Sequence, residues 1–302
     1  RQMARGHRLT RAHSARPLGE TAVALETYFS LIAPCAATQV IADAQRAAVA
    51  RLLAGRDDLA GLPLISVVTP FKAGGRGGPG HYSDVPVGAV LLRHAADLYA
   101  YANGLVVVCA TGAQIRAWLE RSVSAFCRID PARSAPQPLI DMDFASYNFD
   151  RMEGLRYDID LTQEAMTNAT GDVIRTGVGR IRNLRLCGGA PVRAGDKFLL
   201  ITSAYRAAGG GHFPDAAECQ VVFSTPNPVR SLLINHITNA REPLNPVIEP
   251  SFAFMPMGGA QVVVPAEYGA AAHPGRARAL GLAHDGLFPI VVCLIVGRKT
   301  GS

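Results

Sequence analysis

An apolar run, Phe198-Leu-Leu-Ile-Thr202, stops at Ser203-Ala-Tyr-Arg-Ala-Ala-Gly-Gly-Gly-His-Phe-Pro214. A short apolar run of this kind reads as a buried strand. A tyrosine and an arginine therefore stand at a strand end, and three glycines follow. Glycine has no Cβ and tolerates positive φ, so such a loop lets backbone approach a flat ligand. Tyr205 offers a stacking face and Arg206 a fork for anions. A surface turn in which Tyr205 merely packs fits this stretch equally well, so the rest of the chain has to decide.

Similar runs recur along the chain. Residues 62–69 read as a buried strand that enters Pro70-Phe-Lys-Ala-Gly-Gly-Arg-Gly-Gly-Pro-Gly80. That loop lacks the GK[ST] ending of a P-loop, which excludes this ATPase signature. Lys72 and Arg76 among open amides can hold an anion, or the loop can simply be solvated. Residues 104–110 form another strand. Residues 289–296 are far too short to cross a bilayer and read as a central strand.

The helices have their own marks. Residues 36–54 carry Val40, Ile41, Ala44, Ala48 and Leu52 at helical spacing, with Gly55 placed to stop them. A short helix lies near His94. Thr111 and Gln114 make a capping box for a helix whose stripe is Ile115, Trp118, Leu119, Val123 and Phe126, which makes Trp118 a core residue. Leu155, Tyr157, Ile159 and Leu161 alternate with polar residues, the mark of a half-exposed strand. Residues 180–186, the Gly188-Gly189 turn and residues 197–202 read as a hairpin-like pair. Asn227-Pro228 opens a helix in the cap-then-proline order, with Leu232, Leu233 and Ile237 inward. Strands and helices alternate without a strict βαβ rhythm. The fold class expected is α+β, a mixed β-sheet flanked by helices.

Charge narrows the partners. The 302 residues carry a net charge of +6, with a pI near 9.2, a surface that favours anions such as nucleotides or nucleic acid. Residues 1–16 are the most basic stretch and read as a disordered linker end, with a nucleic-acid tail as the alternative. Six cysteines are scattered without a CxxC pair, so zinc-ribbon spacing is absent. Cys109 and Cys293 lie in apolar runs and read as buried small hydrophobes. No membrane span is visible, and an export signal is expected outside this stretch.

The stretch Leu98-Tyr-Ala-Tyr-Ala-Asn-Gly-Leu-Val-Val-Val-Cys-Ala-Thr-Gly112, followed by an amphipathic helix, resembles the C-terminal domain of the 5′-nucleotidase family. Pro70-Phe-Lys-Ala-Gly-Gly-Arg76, Phe126-Cys-Arg-Ile-Asp-Pro131, Tyr147-Asn-Phe-Asp150 and Tyr205-Arg-Ala-Ala-Gly-Gly-Gly211 resemble its bacterial bifunctional branch. That branch comprises the 2′,3′-cyclic-nucleotide 2′-phosphodiesterase/3′-nucleotidases. The resemblance implies a nucleotide-binding C-terminal domain over residues 17–302. It also implies a separate N-terminal metallophosphatase domain that holds two divalent metals and performs hydrolysis. The Asp-x-His, Gly-Asp and Gly-Asn-His-Glu motifs of that domain do not occur here, so no cofactor is expected in this chain, and the chain by itself is expected to be inactive.

By the same resemblance, Tyr101 and Tyr205 sandwich the base, Asn103 meets the base edge, and Arg76 faces substrate phosphate. Arg206 and the backbone of Gly209, Gly210 and Gly211 complete the implied substrate site. The family usually has proline where this chain has Ala102, between Tyr101 and Asn103. Tyr147 to Asp150 can serve either as a core or loop anchor or as a ligand contact. The implied ligands are nucleosides, 3′-nucleotides and 2′,3′-cyclic nucleotides. The implied partner is the metallophosphatase domain, in a periplasmic or secreted hydrolase. A non-enzymatic nucleotide or nucleic-acid binding module is the competing reading, and a purely structural partner domain is a third.

Overall fold

The structure, a computed structural model, describes residues 10–282 and 290–292. Residues 10–14 are helical, although the composition suggests a disordered linker end there. The chain then forms β1 (Pro17–Thr21) and β2 (Leu25–Glu26), helix α1 (Ala36–Leu52) and strand β3 (Leu64–Val68). Two short strands follow, β4 (Asp84–Val85) and β5 (Gly88–Leu91), then α2 (Leu92–Leu98), β6 (Gly104–Thr111) and α3 (Gly112–Ser122). Next come β7 (Gln137–Pro138), β8 (Arg151–Glu153), β9 (Leu155–Ile159), β10 (Ile181–Leu186) and β11 (Lys197–Ser203). One helical turn, α4 (Ala204–Ala207), precedes β12 (Gln220–Pro228) and α5 (Val229–Thr238). The last elements are β13 (Phe252–Phe254), β14 (Val262–Val264), α6 (Glu267–Ala272), α7 (Pro274–Ala279) and β15 (Ile290–Val292).

A mixed five-stranded sheet, in the order β12-β6-β11-β3-β8, organises the molecule. Only the β11–β3 pair in it is parallel. The three inner strands are apolar on both faces because both faces are covered. Val106, Val108, Phe198, Leu200, Ile65 and Val67 enter one core with α3, β9 and β10. Leu105, Val107, Leu199, Ile201 and Val68 enter the other, against α1, α2 and α5. This is the α+β arrangement that the alternating elements predict.

Local signals behave as expected where the interactions are local. Thr111 accepts from the Gln114 amide while Gln114 Oε1 accepts from the Thr111 amide at 2.8 Å, and Trp118 is buried on the stripe below. Helix α1 stops at Leu53, and Gly55 adopts φ 85° just beyond it.

Some expectations fail. Residues 180–186 and 197–202 do not pair as a hairpin: β10 pairs antiparallel with β9, while β11 lies between β6 and β3. The return after Gly189 is brief, with Leu186 N donating to Ala190 O and Val192 N to Leu184 O. An apolar strand with two buried faces is satisfied by two strand neighbours in the central sheet. The half-exposed β10 offers it no comparable burial.

Residues 290–292 stand at the end of a small β15-β14-β7 sheet, not at its centre. Residues 293–296 lie outside the described residues. Apolar content alone does not say whether a strand has one neighbour or two. Pro228, not Asn227, occupies the cap position of α5, without a side-chain capping bond. Cys109 is half-buried, opposite the exposed Gln220 of the edge strand β12. The five described cysteines are free thiols, and Cys293 lies outside the described residues.

Candidate functional site

Strands β6 and β11 run antiparallel, with Ser203 opposite Leu105, so the start of one adjoins the end of the other. Tyr101 precedes the first and Tyr205 follows the second. Both rings therefore emerge at one rim, and each is 48% exposed. They line a cavity of about 260 Å³ together with Phe71, Tyr99, Asn103, Tyr147 and Arg206. Its apolar wall is formed by Val67 and Val68 of β3, and its polar lining includes Gln45, Thr69 and Thr202.

Each ring has its own support. Phe71 meets Tyr101 edge-to-face at 5.2 Å and Tyr99 at 4.8 Å. Tyr205 leans on Gly210, where an added Cβ would come within 2.5 Å of the ring. Gly210 thus has to be glycine for the ring to sit where it does. The Arg206 guanidinium lies 5.4 Å from the same ring.

Asn103 also lines the cavity, and its backbone carbonyl accepts from Val229 N at 2.9 Å. Arg230 donates to the Tyr99 and Ala100 carbonyls. These bonds from α5 hold the turn that, by family pattern, a proline would stiffen.

Arg206 is not a free fork for anions. It is buried, and its Nε and Nη2 donate to the two oxygens of Asp150 at 2.8 and 3.0 Å. Its remaining bonds go to Gly210 O at 2.9 Å and Tyr147 O at 2.6 Å. The four bonds make it a positioning residue: they tie the triglycine loop and the Tyr147 segment to one carboxylate.

Asp150, fully buried, also accepts from Trp118 Nε1 at 2.9 Å and from the Thr69 hydroxyl. The Tyr147 to Asp150 stretch, left open between anchoring and contact, divides. Asp150 anchors, Phe149 is core, and Tyr147 lines the cavity.

Gly209, Gly210 and Gly211 do not line the cavity that holds Tyr101 and Asn103. They border a second, more open depression with Arg76, Thr170 and His212. Tyr147 and Tyr205 border both hollows. Arg76 has no hydrogen-bond or ion-pair partner among the described residues, whereas Lys72 pairs with Asp97 and is not available to an anion.

Behind the depression, Arg121 donates to Gly211 O at 3.2 Å and to Ala169 O at 3.2 Å. Burial pulls its pKa down to about 10, so it remains charged at neutral pH. Burial pushes the Tyr99 phenol up, so it stays protonated.

Sequence reasoning missed Phe71, Gln45 and Arg230. Gln45 carried a signal: it is a polar residue on the buried face of α1, beside Ile41 and Ala44. Arg230 carried none, because its partners lie about 130 residues away. Among the described residues, no three His, Cys, Asp or Glu side chains converge as metal ligands. No described helix is long and apolar enough to cross a membrane.

Comparison with known proteins agrees with this architecture. The family described as 5′-nucleotidase, C-terminal domain, matches residues 17–218. A 2′,3′-cyclic-nucleotide 2′-phosphodiesterase/3′-nucleotidase of Haemophilus influenzae is 37% identical, covering 84% of this chain and 39% of that protein. Its namesake from Salmonella typhimurium is 38% identical, over 75% of this chain and 35% of the other. A trifunctional nucleotide phosphoesterase of Bacillus subtilis is 33% identical, over 84% and 17%. The chain thus spans less than two-fifths of the length of these curated relatives.

Among solved structures, a 5′-nucleotidase precursor from Thermus thermophilus superposes with a TM-score of 0.59 at 17% identity. That match covers 82% of this chain and 41% of the other, and it speaks to the fold alone. The chain belongs to the family of 5′-nucleotidase C-terminal domains, and bacterial bifunctional 2′,3′-cyclic-nucleotide 2′-phosphodiesterase/3′-nucleotidases are among its relatives.

Proposed function

We propose that this chain is the substrate-recognition part of a 2′,3′-cyclic-nucleotide 2′-phosphodiesterase/3′-nucleotidase, gripping the nucleoside base between Tyr101 and Tyr205. The observation that carries the reading is the pair of half-exposed tyrosines at one rim of one cavity, at the ends of neighbouring antiparallel strands. A flat ring entering there meets aromatic faces, and stacking of this kind tolerates any base. Asn103 supplies a donor and an acceptor to the base edge. The sugar and phosphate then lie toward the second depression, where Arg76 is an unpaired cation.

Hydrolysis itself belongs to a metallophosphatase partner domain with two divalent metals, in a periplasmic or secreted protein that takes nucleosides, 3′-nucleotides and 2′,3′-cyclic nucleotides. The residues of this chain contribute binding and orientation, which raise the local concentration of substrate without activating water. The purified chain is therefore expected to release no phosphate from 3′-AMP and no p-nitrophenol from bis-p-nitrophenyl phosphate, with manganese or cobalt present. Turnover that follows the protein through successive columns would refute this.

Arg76 is expected to favour nucleotide over nucleoside. A charge-assisted bond contributes roughly 1.5–3 kcal/mol when partly desolvated, and screening lowers it at an open site. Calorimetry should find 3′-AMP tighter than adenosine, with Arg76→Ala removing the difference. Equal affinities in the unmodified protein would end the phosphate role. The competing reading, a nucleic-acid binding module, predicts oligonucleotide binding that weakens steeply with salt.

A further inference from the structure

We infer that the open depression beside the triglycine loop is a built subsite for the substrate's phosphate, in which Asn148 hydrogen-bonds the oxyanion and buried Arg121 supplies positive charge from behind. This deepens, and rests on, the reading that the sugar and phosphate lie toward that depression.

Arg121 differs from the other buried arginines. Among the described residues four are buried: Arg121, Arg151, Arg180 and Arg206. Arg151 is paired with Glu153 and Arg206 with Asp150. Arg180 lies beside Glu120, whose carboxylate also accepts from the Arg180 backbone amide. Arg121 has no ion pair among the described residues and donates only to neutral oxygens, those of Gly211, Ala169, Asn168 and the Ser124 hydroxyl. A buried charge is costly to hold unless an opposite charge comes near it. The carboxylates in its surroundings are Asp150 and Asp172. Asp150 is engaged by Arg206, and Asp172 is exposed, with Asn168 and Thr170 bonded to its Oδ2. With Arg76 at the depression, three guanidiniums face two carboxylates, which leaves net positive charge for an anion.

The same bonds build the walls. Gly211 and Ala169 belong to two loops that border the depression, and Arg121 ties them together. The second loop is fixed again from within, where Asn168 Oδ1 accepts from the amides of Thr170, Gly171 and Asp172 at 3.1, 2.9 and 2.9 Å.

Asn148 lines this depression and is only 7% exposed. Its carboxamide is unpartnered at both ends: Oδ1 is buried without a partner, and Nδ2 bonds to no described residue. Gly211 leaves it room, since an added Cβ there would come within 2.6 Å of Oδ1. A half-turn of the amide exchanges its two ends, so in either setting the group can present N–H to a phosphate oxygen. Buried polar groups are ordinarily hydrogen-bonded, and a bound oxyanion gives this one its partner.

Calorimetry on the full chain at pH 8 compares 3′-AMP with adenosine, and the ratio of the two affinities reads the phosphate alone. The unmodified chain is expected to favour 3′-AMP. Asn148→Ala should lower the ratio about threefold to tenfold, the size of one hydrogen bond to a charged group at an open site. Asn148→Asp, nearly isosteric, sets a carboxylate against the phosphate and should bring the ratio below one. Arg121→Met should lower the ratio and weaken its salt dependence, because a charge acting through space is lost. If Arg121→Met melts early, the two Asn148 variants carry the test.

Folded Asn148→Ala and Asn148→Asp proteins with an undiminished ratio overturn the subsite, and Arg76→Ala then reports separately on the Arg76 contact. Equal affinities for 3′-AMP and adenosine in the unmodified chain remove the phosphate reading along with the subsite, while adenosine binding keeps the tyrosine slot standing. Failure of both ligands to bind at millimolar concentration removes all three.

Discussion

Replacing Asp150 with alanine is expected to destabilise the protein by about 3–5 kcal/mol, the usual cost of removing one partner from a buried ion pair. The carboxylate is fully buried and receives bonds from Arg206, Trp118 and Thr69. Its removal leaves the largely buried Arg206 guanidinium without a counter-charge and the Trp118 indole N–H without an acceptor. Denaturant unfolding of Asp150→Ala measures the loss.

Asp150→Asn keeps the shape and one acceptor oxygen and should lose less, so the difference between the two variants reports on charge. Because Arg206 also holds Gly210 and Tyr147 through their carbonyls, folded Asp150→Asn should still bind nucleoside more weakly than the unmodified chain. A loss below about 1 kcal/mol for Asp150→Ala, the value of an ordinary solvated pair, would show that the network does not hold the site together.

Tyr205→Ala and Tyr101→Ala should each weaken nucleoside binding roughly 10-fold to 100-fold, since one base–aromatic stack contributes about 1–3 kcal/mol. Adenosine and uridine should suffer alike, because every base has a π face. Tyr→Phe at either position should be mild, as the face remains. The two sites differ in their supports. Tyr101 loses an edge-to-face contact with Phe71, and Tyr205 leaves Gly210 uncovered. Both rings are half-exposed, so their truncation should lower the melting temperature only slightly. Folded alanine variants that bind both nucleosides as the unmodified chain does would end the sandwich reading. Early melting without Phe rescue would instead make the tyrosines packing residues.

What could be read from the residues alone was whatever is decided within a few positions of the chain. The capping box at Thr111 and Gln114, the α1 stripe, the alternation through Leu155, Tyr157 and Ile159, and the apolar inner strands all follow from local hydrogen bonding or from a period that matches one face. The motifs around Tyr101 and Tyr205 did not decide a role by themselves; the order of several motifs, these among them, carried the family resemblance.

Pairing across long separations was not legible. Hydrophobic period identifies a strand but not its neighbour, and so β11 was matched to β10 when it packs between β6 and β3. The same limit applies to side-chain partners. An arginine after a tyrosine looks like an anion fork until a carboxylate 56 residues earlier in the chain is found bonded to it. Lys72 and Arg76 look equivalent until Asp97 pairs with one of them. Whether a charge serves the ligand or the fold depends on what occupies the few ångströms around it. That neighbourhood is created only when burial of both sheet faces brings β3, β6, β8 and β11 side by side.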